Sequence, residues 1–567
     1  MQLSRTKRFA ETAGHVLQSS WWRPTPKEMA PPRLSGELPV LGHMAEFVRN
    51  PFELLRRAEG EGGELVALRL LHQDIVLVTG PKANEAFFRA PDDQLCRREA
   101  YKLMTPIFGE GVVFDASPKR LEEQIRMVMR MLRDKRMRGY PPIICEETQH
   151  LTENWADEGE IDLLELMKEV TIYASSRCLI GDEFRAGMTD EFHALYGHLE
   201  KGINPIAYIY PHAPLPSFKR RDHARERLVK RVAAIIDRRA RSGDRPDDGL
   251  NALLEATYKD GASLSAHEIT GILVAIMMAG HHTSAGTAAW TVLELIRRPD
   301  LLKRVRAEVD AVYTTEGELT YGALRKMTFL HDVIKEVLRL HPPLIFLFRK
   351  VLRPFRYGNY EVPAGAFLCA SPAVSHRIED VFPNAEHFDP DRYARGEDAN
   401  PFAWIAFGGG KHKCTGNAFG LLQLKAVAAT LLRHFDFETA QPDPTYRDDY
   451  TGATVMPALP CRVRYRRRDP VAEAPSIDVA AQPQTGALDV LRPVSVLVDR
   501  QLCQGHSVCV SEAPDVFYVG EEGEAELTEA AGSLAGENLA AEDRIALYAA
   551  LEQAERHCPN SAISLRQ

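Results

Sequence analysis

The strongest restriction on the fold is a glycine-rich loop that ends in a cysteine, Phe407-Gly-Gly-Gly-Lys-His-Lys-Cys414-Thr-Gly416. A helix-forming segment follows, so Cys414 is predicted to lie near a helix N-terminus, beside Lys411 and Lys413. The helix dipole and the two cations would hold the cysteine as a thiolate. The glycines would let the backbone approach a flat cofactor. Taken alone, the loop would favour a simpler interpretation, a buried structural cysteine beside a turn.

Two further motifs accompany this loop. Glu336 and Arg339 lie one turn apart on a predicted helix that two prolines end, and Arg392 follows in Phe-Asp-Pro-Asp-Arg. A surface ion pair is the simpler interpretation of Glu336 and Arg339. Together, in this order and spacing, the three motifs resemble those of the cytochrome P450 family. The resemblance implies that Glu336, Arg339 and Arg392 form a buried triad behind a haem b group, and that Cys414 is the axial ligand of its iron.

An apolar segment before these motifs contains Ala279-Gly280-His281-His282-Thr283 and is predicted to be a buried helix. Polar side chains inside such a helix cost free energy unless they are hydrogen-bonded, so they are candidates for function. Gly280 leaves room for dioxygen, and Thr283 can bond back to a carbonyl and steer protons. Most P450s have an acid before this threonine; His282 instead resembles the sterol 14α-demethylases and implies proton relay. His282 and Thr283 are the predicted catalytic residues, while His281 is also consistent with an ordinary core histidine.

The segment from residue 101 to 115 is aromatic and apolar, broken by proline and glycine. It resembles the sterol 14α-demethylase signature Tyr-x-x-x-x-Pro-x-Phe-Gly-x-x-Val, and the resemblance extends over residues 33–467. An apolar cavity suits a rigid sterol. Leu103 stands where relatives that prefer 4-monomethyl sterols often have Phe, which implies that 4,4-dimethyl sterols such as lanosterol fit. The substrate-lining residues implied by the resemblance are Tyr101, Leu103, Phe108, Phe114, Ala279 and Phe346.

The same resemblance implies contacts to the haem propionates from Tyr101, Arg349 and His412. A lysine that the family often carries on the next helix is replaced here by Glu122. Its contact is therefore not expected, and Lys119 and Arg120 are the predicted substitutes.

A second group of cysteines lies near the C-terminus, in Cys503-Gln-Gly-His506-Ser-Val-Cys509 and in Cys558-Pro559. Ferredoxins bind an iron–sulfur cluster with Cys-x-x-Cys-x-x-Cys and a remote Cys-Pro. Because His506 replaces the middle cysteine, the three thiols suit a [3Fe-4S] cluster, and the segment resembles small bacterial ferredoxins that serve P450s. A [4Fe-4S] cluster with histidine on the fourth iron is the alternative. A zinc site and three unrelated thiols fit the spacing less well.

The chain of 567 residues is too long for one core and is predicted to be multi-domain. We expect an N-terminal extension (1–32), a mainly α P450 domain with small β-sheets (33–468), a flexible linker (469–492) and a small α+β ferredoxin-like domain (493–567). The last domain carries thirteen acidic residues and four arginines, which equals the whole net charge of −9. It is predicted to dock on a basic surface near Lys411 and Lys413. Nucleic-acid binding is disfavoured.

The predicted function is that of an oxidoreductase, a haem-thiolate monooxygenase. By resemblance, it removes the 14α-methyl group of a sterol such as lanosterol in three successive oxygenations that release formate. The fused ferredoxin would supply electrons, refilled by an external NAD(P)H-dependent ferredoxin reductase, because the sequence has no Rossmann glycine fingerprint. A P450 that hydroxylates another apolar molecule and a non-catalytic redox or sterol sensor are the alternatives.

The location predicted from the sequence is the cytoplasm. No apolar segment is long enough to span a bilayer, and the N-terminus does not resemble a signal peptide. Nine cysteines without an export signal fit a reducing compartment. The pair Trp21-Trp22 leaves two alternatives open, peripheral contact with a membrane surface and packing on the main domain.

Overall fold

The computed structural model describes residues 27–468 and 494–566, apart from 204–206, 208–209, 501, 521–522, 529–530, 532–540, 559 and 561. Trp21, Trp22 and the predicted linker at 469–492 therefore lie outside the described residues. Among the residues that are described, no helix combines the length and the apolar character needed to cross a membrane.

Helices form most of the larger domain. They are α1 Met44–Arg49, α2 Pro51–Gly62, α3 Pro81–Arg89, α4 Arg97–Ala100, α5 Thr105–Phe108, α6 Pro118–Leu132, α7 Asp134–Met137, α8 Tyr140–Thr152, α9 Leu163–Leu179, α10 Asp182–Ala186, α11 Asp190–Glu200, α12 Pro216–Ser242, α13 Gly249–Leu254, α14 Ala266–Ile296, α15 Pro299–Glu316, α16 Tyr321–Lys326, α17 Thr328–Leu340, α18 Pro372–Ser375 and α19 Asn417–His434; α20 Val508–Glu512 and α21 Ala541–His557 belong to the C-terminal domain.

The longest helix, α14, runs through the centre of the larger domain. Its start is fixed by a capping box. The Glu268 N–H donates to the Ser265 side chain, and the Ser265 N–H donates to the Glu268 side chain. It is apolar on most sides, as expected of a buried helix, and it packs against α9 and α19. The apolar segment around residue 275 was predicted to be such a helix, and this prediction is confirmed.

The strands are short and peripheral. They are β1 Leu65–Leu70, β2 Gln73–Val78, β3 Leu95–Cys96, β4 Glu158–Asp162, β5 Leu347–Val351, β6 Phe355–Tyr357, β7 Tyr360–Val362, β8 Phe367–Ala370, β9 Phe435–Thr439, β10 Asp448–Asp449, β11 Met456–Pro457, β12 Arg462–Arg467, β13 Ser495–Val498, β14 Phe517–Val519, β15 Ala525–Leu527 and β16 Ile563–Arg566. The largest sheet has the order β1-β2-β8-β5-β3, with β1 and β2 antiparallel and β2 and β8 parallel.

The C-terminal domain has its own small core. Its first and last strands, β13 and β16, pair antiparallel with Ser495 opposite Arg566, which agrees with the two strands predicted there. Val494, Phe517 and Leu551 are almost fully buried beneath them. The predicted fold class, a mainly helical domain with small sheets followed by a small α+β domain, is confirmed.

Candidate functional site

The cysteine loop, residues 407–416, is shaped by close packing on Phe88. Gly408 and Gly410 have φ angles of 73° and 62°, which side-chain-bearing residues rarely adopt. A Cβ atom at Gly409 would lie 2.9 Å from the Phe88 ring, and one at Gly410 would lie 2.5 Å from the Phe88 carbonyl oxygen. The glycines are therefore required by the packing of the loop on α3, as well as by any approach to a flat group. Cys414 remains exposed.

Opposing effects act on the pKa of the Cys414 thiol. Its sulfur is accessible but surrounded by protein, and burial raises the pKa of the thiol against the opposing effects of the Gly416 N–H and Lys413. Lys411 does not contribute, because its Nζ lies 3.0 Å from a carboxylate oxygen of Asp92. The Gly416 N–H and Lys413 act in the predicted direction and burial acts against them, so the thiolate stays a prediction.

A cluster of cations beside the loop surrounds one carboxylate. Asp92 Oδ1 lies 2.6 Å from Nε2 of His412 and 3.8 Å from Nη1 of Arg349. Although burial opposes ionisation, His412 and Lys411 hold the pKa of Asp92 well below its usual range. Arg97 also lies in this group, and its buried Nε has no hydrogen-bond partner among the described residues. Burial lowers the pKa of Arg97, and it lowers that of Arg349 to about 10.

This cluster carries more positive than negative charge. Arg97, Arg349 and Lys411 are cationic against the single carboxylate of Asp92, so a dianionic group beside them would be stabilised. The unpartnered nitrogen of Arg97 offers a buried donor to it. The donor set therefore fits the two carboxylates of a haem.

The predicted substitutes for the missing lysine are placed elsewhere. The guanidinium of Arg120 lies 3.3 Å from the centroid of the Tyr258 ring and pairs with Asp260, and Lys119 is exposed. The Tyr101 hydroxyl accepts a hydrogen bond from the Phe348 N–H at 3.2 Å. Of the positions considered, Arg97 is the additional cation that the structure provides.

The acid and the two arginines predicted as a triad lie together and are fully buried. Arg339 donates two bonds to the Glu336 carboxylate, at 2.8 and 2.9 Å, and Arg392 Nε donates a third at 3.1 Å. The Tyr393 hydroxyl adds a fourth at 3.0 Å. The remaining Arg339 nitrogens bond backbone carbonyls, including that of His376 at 2.9 Å. A surface ion pair is therefore excluded for Glu336 and Arg339.

The centre of α14 combines a small exposed stretch with a buried acid–histidine group. Ala279 is exposed although the helix on both sides is buried, and Thr283 Oγ1 donates to its carbonyl at 2.6 Å, the predicted bond back along the helix. His282 Nε2 lies 2.5 Å from Glu200 Oε1, and His281 Nδ1 lies 3.7 Å from the same atom. Burial opposes ionisation of Glu200, but the histidines lower its pKa to about 2.

The predicted substrate residues of the 101–115 segment form one aromatic cluster. The rings of Tyr101 and Phe114 stack at 4.8 Å between centroids, and Phe108 lies 6.0 Å from Phe114. Leu103 is 3% exposed and packs in the adjoining cluster. Phe346 lies farther along, stacked on the ring of Phe348 at 5.4 Å. The segment is thus an apolar wall, as predicted.

The three cysteines of the C-terminal domain line one small cavity. The N–H groups of Ala525 and Ala562 each lie 3.3 Å from a sulfur, that of Cys503 and that of Cys558 respectively. Burial raises the pKa of Cys503, and raises that of Cys509 to about 12. Three convergent sulfurs with backbone N–H donors fit an iron–sulfur cluster, whose iron would replace the thiol protons.

Comparison with known proteins agrees with this geometry. Residues 31–464 match the family model for cytochrome P450, and residues 496–565 match that for a 4Fe-4S single cluster domain. The sterol 14α-demethylase of Mycolicibacterium vanbaalenii is 43% identical over 444 residues, 77% of this chain and 98% of the relative. This chain belongs to the sterol 14α-demethylase family of cytochromes P450. It is therefore a monooxygenase-type oxidoreductase.

More distant relatives extend the comparison. The sterol 14-demethylase of Arabidopsis thaliana is 35% identical over 452 residues, 78% of this P450 chain and 92% of the relative. The retinoic acid-bound cyanobacterial CYP120A1 superposes with a TM-score of 0.69 at 23% identity, over 78% of this chain and 100% of that structure. This structural likeness supports the P450 fold of the larger domain.

The ferredoxin domain lies on the P450 cysteine loop, but its ion pairs differ from those predicted. Asp499 pairs with Arg89 at 3.0 Å, and Glu512 pairs with Arg325. Lys411, a predicted docking cation, pairs instead with Asp92 of its own domain. An acidic-on-basic contact is therefore present, with arginines from α3 and α16 as its basic partners.

Proposed function

We propose that this P450 removes the 14α-methyl group of a sterol such as lanosterol in three successive oxygenations that release formate. The observation that carries the proposal is the pairing of His282 with Glu200. His282 lies on α14, one residue before Thr283. This acid–histidine pair supplies protons where most P450s have an acid. The relatives from Mycolicibacterium vanbaalenii and Arabidopsis thaliana are sterol demethylases, which supports the same substrate class.

Haem b is the cofactor that the larger domain fits, and when bound it supplies the activation of dioxygen. Cys414 would bind its iron through the thiolate. Arg349, His412 and Tyr101, with Arg97 in place of the missing lysine, are placed to hold its propionates, because the surplus positive charge beside Asp92 needs anions.

The Glu336–Arg339–Arg392 triad acts behind this site by fixing the backbone around the loop. Arg339 ties α17 to the carbonyls of His376 and Ala385, and His376 Nε2 accepts the N–H of Ile405, close to the cysteine loop. The triad therefore positions the loop through backbone hydrogen bonds.

Proton delivery is the role of the group at the centre of α14. Glu200 stays ionised because His281 and His282 stabilise its charge, so its carboxylate accepts the His282 N–H and would orient that imidazole for proton transfer. Thr283, held to the carbonyl of Ala279, would orient water for proton transfer.

Substrate selection belongs to the apolar wall. The Tyr101, Phe108 and Phe114 rings present a flat surface to a rigid sterol. Leu103 is packed against Phe218, and a leucine takes less volume than the phenylalanine that relatives with 4-monomethyl substrates often carry. We infer that a second methyl group at C4 is accommodated.

The fused ferredoxin supplies the electrons. Cys503, Cys509 and Cys558 are placed to bind a [3Fe-4S] cluster, with [4Fe-4S] as the alternative. The cluster is refilled by an external NAD(P)H-dependent ferredoxin reductase.

The test is product analysis with the full chain, loaded with haem and cluster. It is incubated with lanosterol, NADPH and a ferredoxin reductase, and the sterols and formate are quantified by mass spectrometry. The expected products are the 14-demethylated sterol with a C14–C15 double bond and an equal amount of formate. Accumulation of a hydroxylated, uncleaved sterol as the end product would contradict the proposal.

A further inference from the structure

The ferredoxin domain touches the two residues that flank the axial cysteine. Gln504 Nε2 donates to the carbonyl of Lys413 at 2.6 Å, and His506 Nε2 lies 3.2 Å from the carbonyl of Thr415. A carbonyl oxygen can only accept, so His506 carries its proton on Nε2 in this contact. Both bonds end one residue away from Cys414.

A second set of bonds crosses the same interface through two buried amides. Asn417 Nδ2 donates to Asn560 Oδ1 at 2.9 Å, and Asn560 in turn donates to the Leu502 carbonyl and to Gln504 Oε1. Asn417, Asn560 and His506 are 1%, 2% and 4% exposed. Separating the domains would break the Asn417–Asn560 bond and remove the P450 partners of Asn560 and His506, so these contacts favour the docked arrangement.

Apolar contact completes the interface around the cluster ligands. Leu502 and Ala562, each adjacent in space to a cluster cysteine, belong to the hydrophobic cluster that contains Phe87 and Phe88 of α3. The cysteine-bearing edge of the ferredoxin domain therefore faces the P450 domain. On its other side, the carbonyl of His506 accepts from the N–H of Asp134 at 3.2 Å, so both the side chain and the backbone of His506 are held by the P450 domain.

These contacts point to an interdomain role for the histidine in the Cys-x-x-His-x-x-Cys motif. A cysteine at position 506 would be too short to reach Thr415, whereas the imidazole spans the gap with Nε2. We propose that His506 is an interdomain positioning residue that holds the cluster edge against the axial-cysteine loop, and that it is not a cluster ligand. This inference rests on the proposed electron supply by the fused ferredoxin. The step moves one electron from the cluster to the haem iron and breaks no bond, and NAD(P)H, acting through the external reductase, restores that electron.

The test compares His506→Ala with His506→Gln in the full chain loaded with haem and cluster. The cluster is reduced photochemically under carbon monoxide without sterol, and the appearance of the carbonyl-ferrous haem spectrum gives the rate of internal electron transfer. We expect His506→Ala to lower this rate by about tenfold, the effect of losing one buried hydrogen bond on the docked population. His506→Gln, which keeps a long side chain with an N–H donor, should restore most of it. Tyr518→Phe, at an exposed position of β14, is the control.

A second readout separates positioning from ligation. Electron paramagnetic resonance and the reduction potential of the cluster should be the same in His506→Ala and in the unchanged chain. An altered cluster spectrum, or an unchanged electron-transfer rate in His506→Ala, overturns the inference. If His506→Ala does not retain its cluster, Gln504→Ala tests the same interface from the neighbouring bond, and an unchanged rate there has the same consequence. Because no sterol is present, failure of this test is distinguishable from failure of the sterol demethylation assay.

Discussion

In the cationic cluster around Asp92, Arg97 is the residue whose positive charge is least compensated by a nearby carboxylate. Its Nε is buried without a partner among the described residues, while Asp92 is already shared between His412 and Lys411. We predict that Arg97→Ala weakens haem retention by roughly tenfold or more, because a charge-assisted bond contributes about 1.5–3 kcal/mol. The measurement is the rate of haem transfer to apomyoglobin.

The neighbouring arginine provides the control for this prediction. Arg98 lies on the same short helix, α4, but its side chain is half exposed and 3.8 Å from Asp115. Arg98→Ala should lose haem as slowly as the unchanged chain, and Arg97→Lys should fall between the two. Equal rates for Arg97→Ala and Arg98→Ala would show that Arg97 does not hold the cofactor.

A second substitution, at Glu200, tests the proton path. Glu200→Gln removes the carboxylate that accepts from His282, so turnover of sterol should fall by roughly 10²-fold. Carbon monoxide binding and sterol-induced spectral changes should persist, and a larger share of the NADPH consumed should appear as hydrogen peroxide. Glu191→Gln on the same helix is the control, since Glu191 pairs with Arg231 at the surface. Unchanged coupling in Glu200→Gln would remove this carboxylate from the proton path.

The site residues that the sequence predicts belong to local motifs, whereas the site residues that it does not predict belong to none. Cys414 and Glu336 lie in motifs whose spacing is local, so a sequence can show them. Asp92, Arg97 and Glu200 belong to no such pattern. Glu200 meets His282 across 82 positions of sequence, and its partner depends on how α11 packs on α14, which single-sequence periodicity does not specify.

At the scale of elements, the junction of α17, α14 and β10 contains a buried charged group. His341 caps the C-terminus of α17, with its Nδ1 3.0 Å from Asp448 and its ring stacked on Trp290 at 3.8 Å. Burial opposes protonation, but Asp448 and Glu294 raise the pKa of His341 to about 9. An unfolded histidine has a pKa of about 6.5, so this contribution to stability is complete below that pH and is lost as the pH rises through 9.

The expected effect is a pH-dependent loss of stability that one substitution removes. Between pH 6 and pH 9.5 the free energy of unfolding of the P450 domain, from urea titration of the full chain, should fall by roughly 3 kcal/mol more in the unchanged chain than in His341→Gln. His150→Gln is the control, because its side chain is 67% exposed. Parallel pH profiles for the unchanged chain and His341→Gln would exclude His341 as the source.

Element boundaries show where sequence patterns stop being sufficient. The apolar residues between positions 64 and 80 predict two strands joined by a short turn, and these strands appear as β1 and β2, because the pattern that specifies them is local. The helix expected at Cys414 begins instead at Asn417, since the loop must first turn around Phe88. That constraint comes from α3, more than 300 residues earlier in the sequence.

At the scale of the whole molecule, covalent linkage determines how the electron supply responds to dilution. The interdomain ion pair Arg89–Asp499 is partly exposed, with 33% and 34% side-chain exposure, and pairs of this kind contribute about 0–1 kcal/mol each. The tether therefore adds an effective concentration that these pairs alone do not provide. We predict that turnover per molecule in the intact chain is independent of protein concentration when the reductase is saturating.

Cutting the chain between the domains tests this prediction directly. A protease site introduced within residues 469–492 leaves both domains with all their residues, and cleavage changes only the connection. After cleavage, turnover per P450 should fall as the sample is diluted from micromolar to nanomolar, because docking has become bimolecular. Adding the free ferredoxin domain in excess should restore it. Full turnover of the cleaved protein at nanomolar concentration would contradict the prediction. The noncovalent interface of amides, His506 and apolar residues would then be sufficient to hold the domains together, and the tether would serve assembly rather than catalysis.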